Sequence, residues 1–238
     1  MFADIEPVDV DLTLKSVFKD MDWMHKSGIG GIFTAVGVVA LLFHFACVPI
    51  AFATWALIVG YTLRVMRVKD ADQKAKLPEW NDWGDLFLSG ITWIAVQSLL
   101  WILMVLVCVT ALIFCTASAT TAGPDWQTLA WSICATVLPA LTCVNLAYVA
   151  TYVMVNFAVE ENSRAGVAYL KVMKRIARHP AHYFAGFLLA VALQWAAVIL
   201  PIVTVIGVVV IPSSYFIGQL LSAVILARFW AADPDSST

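Results

Sequence analysis

The sequence predicts an all-α protein: a polytopic transmembrane helical bundle of about six spans in three hairpins, with amphipathic interfacial helices. Apolar residues make up 62% of the 238 residues and charged residues only 13%, whereas soluble domains have about 45–50% and about 25%. Four stretches also lack Asp, Glu, Lys and Arg over more than the ~20 residues that a membrane-spanning helix needs, namely 28–63, 86–124, 126–159 and 179–227. This composition excludes a soluble enzyme, a nucleic-acid-binding protein and a disordered chain.

Residues 1–27 form the predicted cytoplasmic N-terminal segment. The segment begins with acids such as Asp4 and Glu6 and lacks the cationic start of a signal peptide. Further on, apolar side chains recur along one helical stripe, and they are Leu14, Phe18, Met21 and Met24. This stripe predicts an amphipathic helix at the membrane interface.

A single transmembrane domain is predicted over residues 28–230, with hairpins at 28–66, 86–159 and 179–230. As one helix, residues 28–63 would be ~54 Å long, against a hydrocarbon core of ~30 Å. Pro49 near the middle of this stretch interrupts the helical hydrogen bonds, so we expect a turn there. Pro201 and Pro212 divide the last stretch in the same way. The alternative for both stretches is a re-entrant hairpin instead of two crossings.

The positive charges indicate the orientation of the protein in the membrane. All 14 Lys and Arg lie outside the four uncharged stretches, before the first hairpin or at the ends where the chain leaves each hairpin. Three hairpins therefore place every one of them on the same side, which the positive-inside rule makes cytoplasmic. We expect a multi-pass protein of the cytoplasmic (inner) membrane with both termini, including the tail 231–238, inside.

A connector motif follows the first hairpin and consists of Leu77, Pro78, Glu79, Trp80, Asn81, Asp82, Trp83 and Gly84. Its tryptophan rings suit the lipid headgroup layer. Asn81 or Asp82 can cap the next helix, and Asp85 lies in the first turn of that helix, where the helix dipole favours an acid. We interpret the motif as a structural elbow between two helices. The alternative is a docking epitope for a partner.

A basic segment at residues 164–178 precedes the last hairpin. Apolar residues recur in it at three-residue steps, namely Val167, Leu170, Met173 and Ile176. Cations flank them, namely Lys171, Lys174, Arg175 and Arg178. The pattern predicts a helix lying on the anionic lipids of the cytoplasmic leaflet, with about 1 kcal/mol of attraction per cation. The alternative is a solvated connector.

Two sets of polar residues fall within the predicted spans. Tyr148, Tyr152, Asn156 and Glu160 share one face of the fourth span together with Asn145. They predict hydrogen bonds between helices or, as the alternative, a polar groove for a lipid or peptide. Gln97, Asn145 and Gln194 fall at similar counted depths, which predicts an interhelical polar cluster that fastens the second hairpin to the third.

The residues that catalysis or metal binding would need are sparse in this sequence. The 5 cysteines lie singly in apolar segments, without the paired spacing of zinc or redox sites. We interpret them as small buried hydrophobic residues. No Asp, Glu, Lys or Arg lies clearly inside a predicted span, which argues against proton-coupled transport. We therefore expect no catalytic residues, no metal site and no cofactor.

Three stretches of the sequence resemble a bacterial and archaeal membrane protein family catalogued as domain of unknown function 4013. They are residues 18–23 with the glycines of 28–31, Gly60 and Tyr61 followed by Arg64, and residues 77–87. The matching positions cover roughly residues 15–100, and the remainder is similar only in pattern. The resemblance implies a polytopic fold in a bacterial or archaeal membrane, and it brings no activity.

The expected function is that of an integral membrane protein without catalytic activity. Such a protein would act through contacts, as an accessory, assembly or scaffolding subunit of a membrane complex. Its partners would be the bilayer with its anionic lipids and a membrane protein or a second copy of itself. The alternative function is a facilitator or binding protein for a lipid or a small neutral solute.

Overall fold

The computed structural model describes residues 8–43, 45–71, 76–121, 126–160, 163–203 and 210–233. These ranges contain helices and no strand, which confirms the all-α prediction. The α-helices are α1 (Val10–Phe18), α2 (Trp23–Phe43), α3 (Val48–Ala71), α4 (Trp83–Thr121), α5 (Trp126–Glu160), α6 (Tyr169–Arg178), α7 (Pro180–Val203) and α8 (Ile211–Ala231). Short 3₁₀ turns lie at Phe45–Cys47 and Ser163–Val167.

Within the described residues, 5 helical segments are long and apolar enough to cross a membrane. They are Trp23–Phe43, Phe45–Val68, Pro139–Glu160, Pro180–Val203 and Ile211–Ala231. Helix α4 is not among the five, although it has 39 residues with Asp85 as its one charge. The chain is therefore a polytopic helical membrane protein, and the sixth span stays a prediction.

The prolines explain where two of the helices begin. Pro49 and Pro212 lie in the first turns of α3 and α8, where a missing N–H costs nothing because that group has no helical partner. Pro201 lies inside α7, and Pro139, which the sequence interpretation did not use, lies inside α5. The expected turn near Pro49 is thus confirmed at Phe45–Cys47. The tip expected near Gly123 lies outside the described residues, and so do residues 204–209 of the turn expected between Pro201 and Pro212.

Helix α8 is at the centre of the packed bundle. Its residues from Ala223 to Trp230 are all buried. On one side Phe216 and Leu220 belong to a core with Tyr61 of α3 and Val17 of α1. On the other side Leu226 and Trp230 belong to a core with Tyr152 of α5 and Tyr183 of α7. Helix α8 therefore joins the N-terminal part of the chain to the last hairpin.

Helices α3 and α4 approach so closely that only glycine fits at the crossing. A Cβ atom on Gly60 would lie 1.9 Å from the carbonyl oxygen of Leu86, and one on Gly90 would lie 1.8 Å from that of Ala56. Small residues permit this backbone contact, which is a common way for membrane helices to pack. The crossing fixes the start of α4 against α3.

The amphipathic N-terminal helix is shorter than predicted. Helix α1 ends at Phe18, and the side chains that pack inward are Thr13 and Val17. The predicted continuous stripe is wrong, because the helix stops before Met21 and Met24, which are exposed. The cause is Asp20, whose carboxylate accepts a hydrogen bond from the backbone N–H of Asp22 at 3.1 Å and so favours a turn over a helix.

Candidate functional site

The first candidate site is a buried group of charges, which we call the Lys26 cluster: Asp20, Lys26 and Glu79. Lys26 Nζ lies 2.9 Å from Asp20 Oδ2 and 2.7 Å from Glu79 Oε1. It also donates a hydrogen bond to the carbonyl oxygen of Leu77 at 2.8 Å. Asp20 and Lys26 are each 2% exposed, whereas Glu79 is 67% exposed. The ammonium group thus has one oxygen acceptor for each of its three donor hydrogens.

Asp20 is held in its charged form within this cluster. Burial alone would raise the pKa of its carboxyl group. The hydrogen bond from Lys26 and those from the backbone N–H groups of Asp22 and Leu77 outweigh burial, so the pKa lies below its usual range. The Lys26 cluster is therefore a stable ion pair that ties the N-terminal segment to the connector.

The connector motif folds inward on the same cluster. Trp80 is only 9% exposed and stacks on Tyr61, with 4.0 Å between ring centroids and 7° between planes. Trp80 Nε1 donates to the carbonyl oxygen of Lys26 at 2.9 Å, and the Tyr61 hydroxyl donates to that of Pro78 at 2.8 Å. Trp80 thus contacts protein groups, and the depth of the motif at the headgroup layer stays a prediction. Trp83 is 43% exposed.

The end of the motif starts helix α4. Asp82 precedes this helix with a φ of 52°, a left-handed conformation that Asp tolerates better than most residues. Gly84 has open space around it. Arg64 of α3 donates to Asn81 Oδ1 at 2.8 Å and to Asp85 Oδ2 at 3.0 Å. These contacts are those of the predicted structural elbow.

A second buried group, which we call the Asp233 cluster, was not predicted and consists of Arg175, Tyr183, Trp230 and Asp233. Arg175 Nε donates to Asp233 Oδ2 at 3.0 Å, and Nη2 donates to the Trp230 carbonyl oxygen at 2.9 Å. The guanidinium carbon lies 3.6 Å from the centre of the Trp230 ring, a cation–π contact. The Tyr183 hydroxyl also donates to Asp233, which is fully buried.

The Asp233 cluster corrects the prediction for Arg175. This residue was expected on the lipid surface with the other cations of α6, but its side chain is 12% exposed and bound to Asp233. The first residues of the predicted cytoplasmic tail are likewise bound into the bundle as far as Asp233. A single acid 58 residues from its partner gives no periodic signal, so the sequence did not reveal it.

Helix α6 buries one face and exposes the other. Val172 and Ile176 are buried against the bundle. The remaining apolar residues of the predicted stripe are exposed, namely Leu170 and Met173 of α6 and Val167 of the turn before it. The single stripe is therefore wrong, because residues at three-residue steps drift around a helix of 3.6 residues per turn. Lys171, Lys174 and Arg178 are exposed as well, and Lys171 lies 2.7 Å from Glu160.

The polar face of α5 is covered by neighbouring elements. The Tyr152 hydroxyl donates to the carbonyl oxygen of Tyr183 at 2.5 Å, and Asn156 Nδ2 donates to that of Ala165 at 3.3 Å. Tyr148 packs against Phe184 and Phe187 of α7, and Glu160 pairs with Lys171. These are contacts between helices, so the alternative of an open polar groove is wrong for this face.

The three carboxamides bond to three different partners instead of to one another. Gln97 accepts from the Tyr169 hydroxyl at 2.9 Å, and Gln194 donates to the carbonyl oxygen of Tyr215 at 3.3 Å. Asn145 is exposed and donates to the carbonyl oxygen of Leu141 in its own helix at 2.8 Å. The depths were counted from span ends, which says nothing about rotation around the helix axis. Tyr152 and Tyr183, not the carboxamides, join the second hairpin to the third.

Two of the cysteines lie closer together than their spacing suggests. Cys108 Sγ of α4 is 3.9 Å from Cys143 Sγ of α5, and both are free thiols. Cys47 is also free. Among the residues that the structure describes, no group of three or more His, Cys, Asp or Glu could hold a metal ion. The cysteine pair marks the register between α4 and α5.

An apolar groove lies between α3, α4 and α5 and has a volume of about 780 Å³. Its lining includes Phe52, Trp55, Trp93, Trp101 and Met154, with Gln97 among them. Gln97 is 8% exposed, and its Nε2 atom is buried without a hydrogen-bond partner in the described part of the chain. The volume falls within the range of small-molecule pockets, ~300–1,000 Å³. The sequence did not predict this groove, because its lining comes from α3, α4 and α5 together with Leu41 of α2.

Comparison with known proteins gives one family. A model described as "Protein of unknown function (DUF4013)" matches residues 42–213 of the chain. The match contains the predicted stretches at 60–64 and 77–87 and continues through α7, well beyond the expected limit near residue 100. It begins after the stretches at 18–23 and 28–31. No curated protein and no solved structure matches the chain.

Proposed function

This chain belongs to the DUF4013 family, whose description names no activity, and we propose that it acts without catalysis, through contacts in the membrane. In this proposal it is an accessory, assembly or scaffolding subunit of a membrane complex, and it binds a membrane protein or a second copy of itself. The proposed location is the cytoplasmic membrane of a bacterium or archaeon, with both termini inside.

The observation that supports this proposal is that the side chains of the two charged clusters are bonded within the chain. Within each of the two clusters, the side chains bond to one another and to backbone groups of the same chain. Their role is to hold segments of the fold together. The exposed faces of α2 and α7, with Val39 and Leu188 as examples, carry large apolar side chains. Contacts with another membrane helix would use such faces through van der Waals packing.

Purification from the native membrane in a mild detergent tests the contact function. We expect a second protein, or a second copy, at a fixed ratio through successive separations. Val39→Trp on α2 and Leu188→Trp on α7 change one exposed face each, and one of the two should release the partner while the other serves as its control. A single copy that purifies alone and unchanged would contradict the proposal.

The orientation can be tested by labelling introduced cysteines on a cysteine-free background. An impermeant thiol reagent applied to intact cells should label Ala122→Cys and should not label Ala3→Cys or Ser237→Cys. The reason is the placement of all 14 Lys and Arg on one side by the three-hairpin arrangement. Labelling at the two termini without labelling at position 122 would reverse the orientation.

The groove between α3, α4 and α5 favours a second candidate function, the binding of a lipid or small neutral solute. The described residues that line it are almost wholly apolar, and none of them is Asp, Glu, Lys or Arg. Such a lining suits a hydrocarbon and disfavours an ion. Purification in mild detergent followed by extraction would test this function: one molecule of a defined lipid per chain supports it, and a bulk lipid mixture contradicts it.

A further inference from the structure

The groove contains one polar group whose hydrogen bonding is incomplete. Gln97 Oε1 accepts from the Tyr169 hydroxyl, but Gln97 Nε2 is buried and has no partner among the described residues. The other polar residues of the lining are bonded within their own helices, since Ser98 donates to the carbonyl oxygen of Ala95 and Thr151 to that of Ala147. A buried donor without an acceptor costs about 1–3 kcal/mol. A ligand that supplies the acceptor removes this cost.

The lining also decides what kind of acceptor fits. None of the lining residues that the structure describes is cationic, so a carboxylate or phosphate placed among them would be an unpaired charge in an apolar medium. A neutral carbonyl oxygen meets the requirement of Gln97 without that penalty. The remaining walls, with Trp55, Trp93 and Trp101, suit a hydrocarbon chain.

Gln97 connects the groove to helix α6. Its partner Tyr169 is the first residue of α6, which also carries the exposed Lys174; Lys171 of the same helix is paired with Glu160 at 2.7 Å. A glycerolipid carries its ester carbonyls between the acyl chains and the phosphate, so Lys174 is the candidate partner for the phosphate of a lipid whose carbonyl bonds to Gln97.

We propose that the groove binds one acyl chain of a diacyl glycerophospholipid and that Gln97 Nε2 donates a hydrogen bond to the ester carbonyl of that chain. The inference rests on the second candidate function and specifies its ligand. The groove is a lipid site with a chemical preference for ester over ether linkage, because an ether oxygen is a weaker acceptor than a carbonyl.

The test uses the full chain, delipidated in detergent, and three probes: a diester phosphatidylglycerol, the diether analogue with the same chains, and a long-chain quinone. Saturable binding is measured by native mass spectrometry. We expect the wild-type chain to bind the diester lipid about threefold to tenfold more tightly than the diether, the ratio for one hydrogen bond. Gln97→Leu should abolish this preference, while Gln194→Leu, a carboxamide bonded to Tyr215 outside the groove, should keep it.

Filling the groove provides a second variant that does not change the polar group. Ala150 lines the groove, and Ala140 is exposed on the same helix α5 away from it. Ala150→Phe should lower the affinity for both phospholipids at least tenfold, whereas Ala140→Phe should leave it unchanged. Thermal unfolding of each variant in detergent shows that it remains folded.

The outcomes separate the inference from the function on which it rests. If no probe binds saturably, the lipid-binding function and the inference both fail. If the diester and diether bind equally and Ala150→Phe abolishes both, the function stands and the carbonyl contact is refuted. If the quinone binds more tightly than the diester and depends on Gln97, the glycerolipid is the wrong ligand.

Discussion

The Lys26 cluster and the Asp233 cluster perform the same task with different chemistry. The Lys26 cluster joins the N-terminal segment to the connector at 76–82. The Asp233 cluster joins the residues after α8 to helix α6. In the first, a buried ammonium group is surrounded by carboxylate and carbonyl oxygens, and Glu79 remains 67% exposed. In the second, a fully buried carboxylate receives hydrogen bonds from Arg175 and Tyr183. The comparison indicates that the buried ions, Lys26 with Asp20 and Asp233 with Arg175, stabilise the fold more than the exposed Glu79.

The largest effect is expected for Lys26→Met. The substitution leaves the Asp20 carboxylate buried at 2% exposure without its cation. Breaking a buried pair in this way costs about 3–5 kcal/mol of unfolding free energy. Thermal unfolding in detergent measures the loss, and the double variant Asp20→Asn with Lys26→Met should recover part of it. Equal stability of Lys26→Met and the wild type would show that the Lys26 cluster does not hold the fold.

A smaller loss of unfolding free energy is expected for Asp233→Asn. The new carboxamide oxygen can still accept from Arg175 and Tyr183, and Arg175 keeps the Trp230 carbonyl as an acceptor. We expect a loss of about 1.5–3 kcal/mol, the worth of a hydrogen bond to a charged group. The same unfolding assay checks it. A loss larger than that of Lys26→Met would reverse the ranking of the two clusters.

Variants of two cations in α6 distinguish a structural contact, made by Arg175, from attraction to anionic lipids, expected of Lys174. Lys174 is exposed, whereas Arg175 is bound in the Asp233 cluster. In an isolated peptide of residues 164–178, Lys174→Ala should weaken binding to anionic vesicles by about 1 kcal/mol; in the full chain it should leave the unfolding temperature unchanged. Arg175→Ala should lower the unfolding temperature. Binding of the wild-type peptide to vesicles is measured at low and high salt, because salt screens the attraction. Equal binding to neutral and anionic vesicles would refute the electrostatic attraction.

The smallest effect is expected for Glu79→Gln. Its carboxylate is 67% exposed, so water already screens its attraction to Lys26. The loss should be about 0.2–1 kcal/mol, as for a surface ion pair. The same unfolding assay measures it, with Asp20→Asn as the buried counterpart that should lose far more. Equal losses for both would mean that burial does not distinguish the two acids.

Composition and charge placement predicted the helical membrane fold because both act over whole segments. A span without charges is recognisable from its own residues, and so is the turn near Pro49. The connector motif was partly predictable, since its acids and its one proline, Pro78, act locally. Its inward orientation was not, because Trp80 finds its acceptor on Lys26, 54 residues away in the chain.

The candidate sites were predicted less well for the same reason. The polar face of α5 was read correctly as one face, but its partners on α6 and α7 depend on how helices dock. Gln97 was assigned to a cluster with Asn145 and Gln194, yet Tyr169 is its partner. No pattern within a single segment of the sequence predicts the groove, because several helices line it. Periodicity predicts which residues share a face and does not predict what that face contacts.

The long separations within the two clusters have a consequence for synthesis. Lys26 is made 51 residues before Leu77, and Arg175 is made 58 residues before Asp233. At the usual elongation rate of about 5–20 residues per second, Lys26 waits for its acceptor in the connector, and Arg175 for Asp233, roughly 3–12 seconds. During that interval α2 and α3 can enter the bilayer, but the charge beside them still needs water. The first hairpin therefore completes its attachment only after the connector that follows it has left the ribosome.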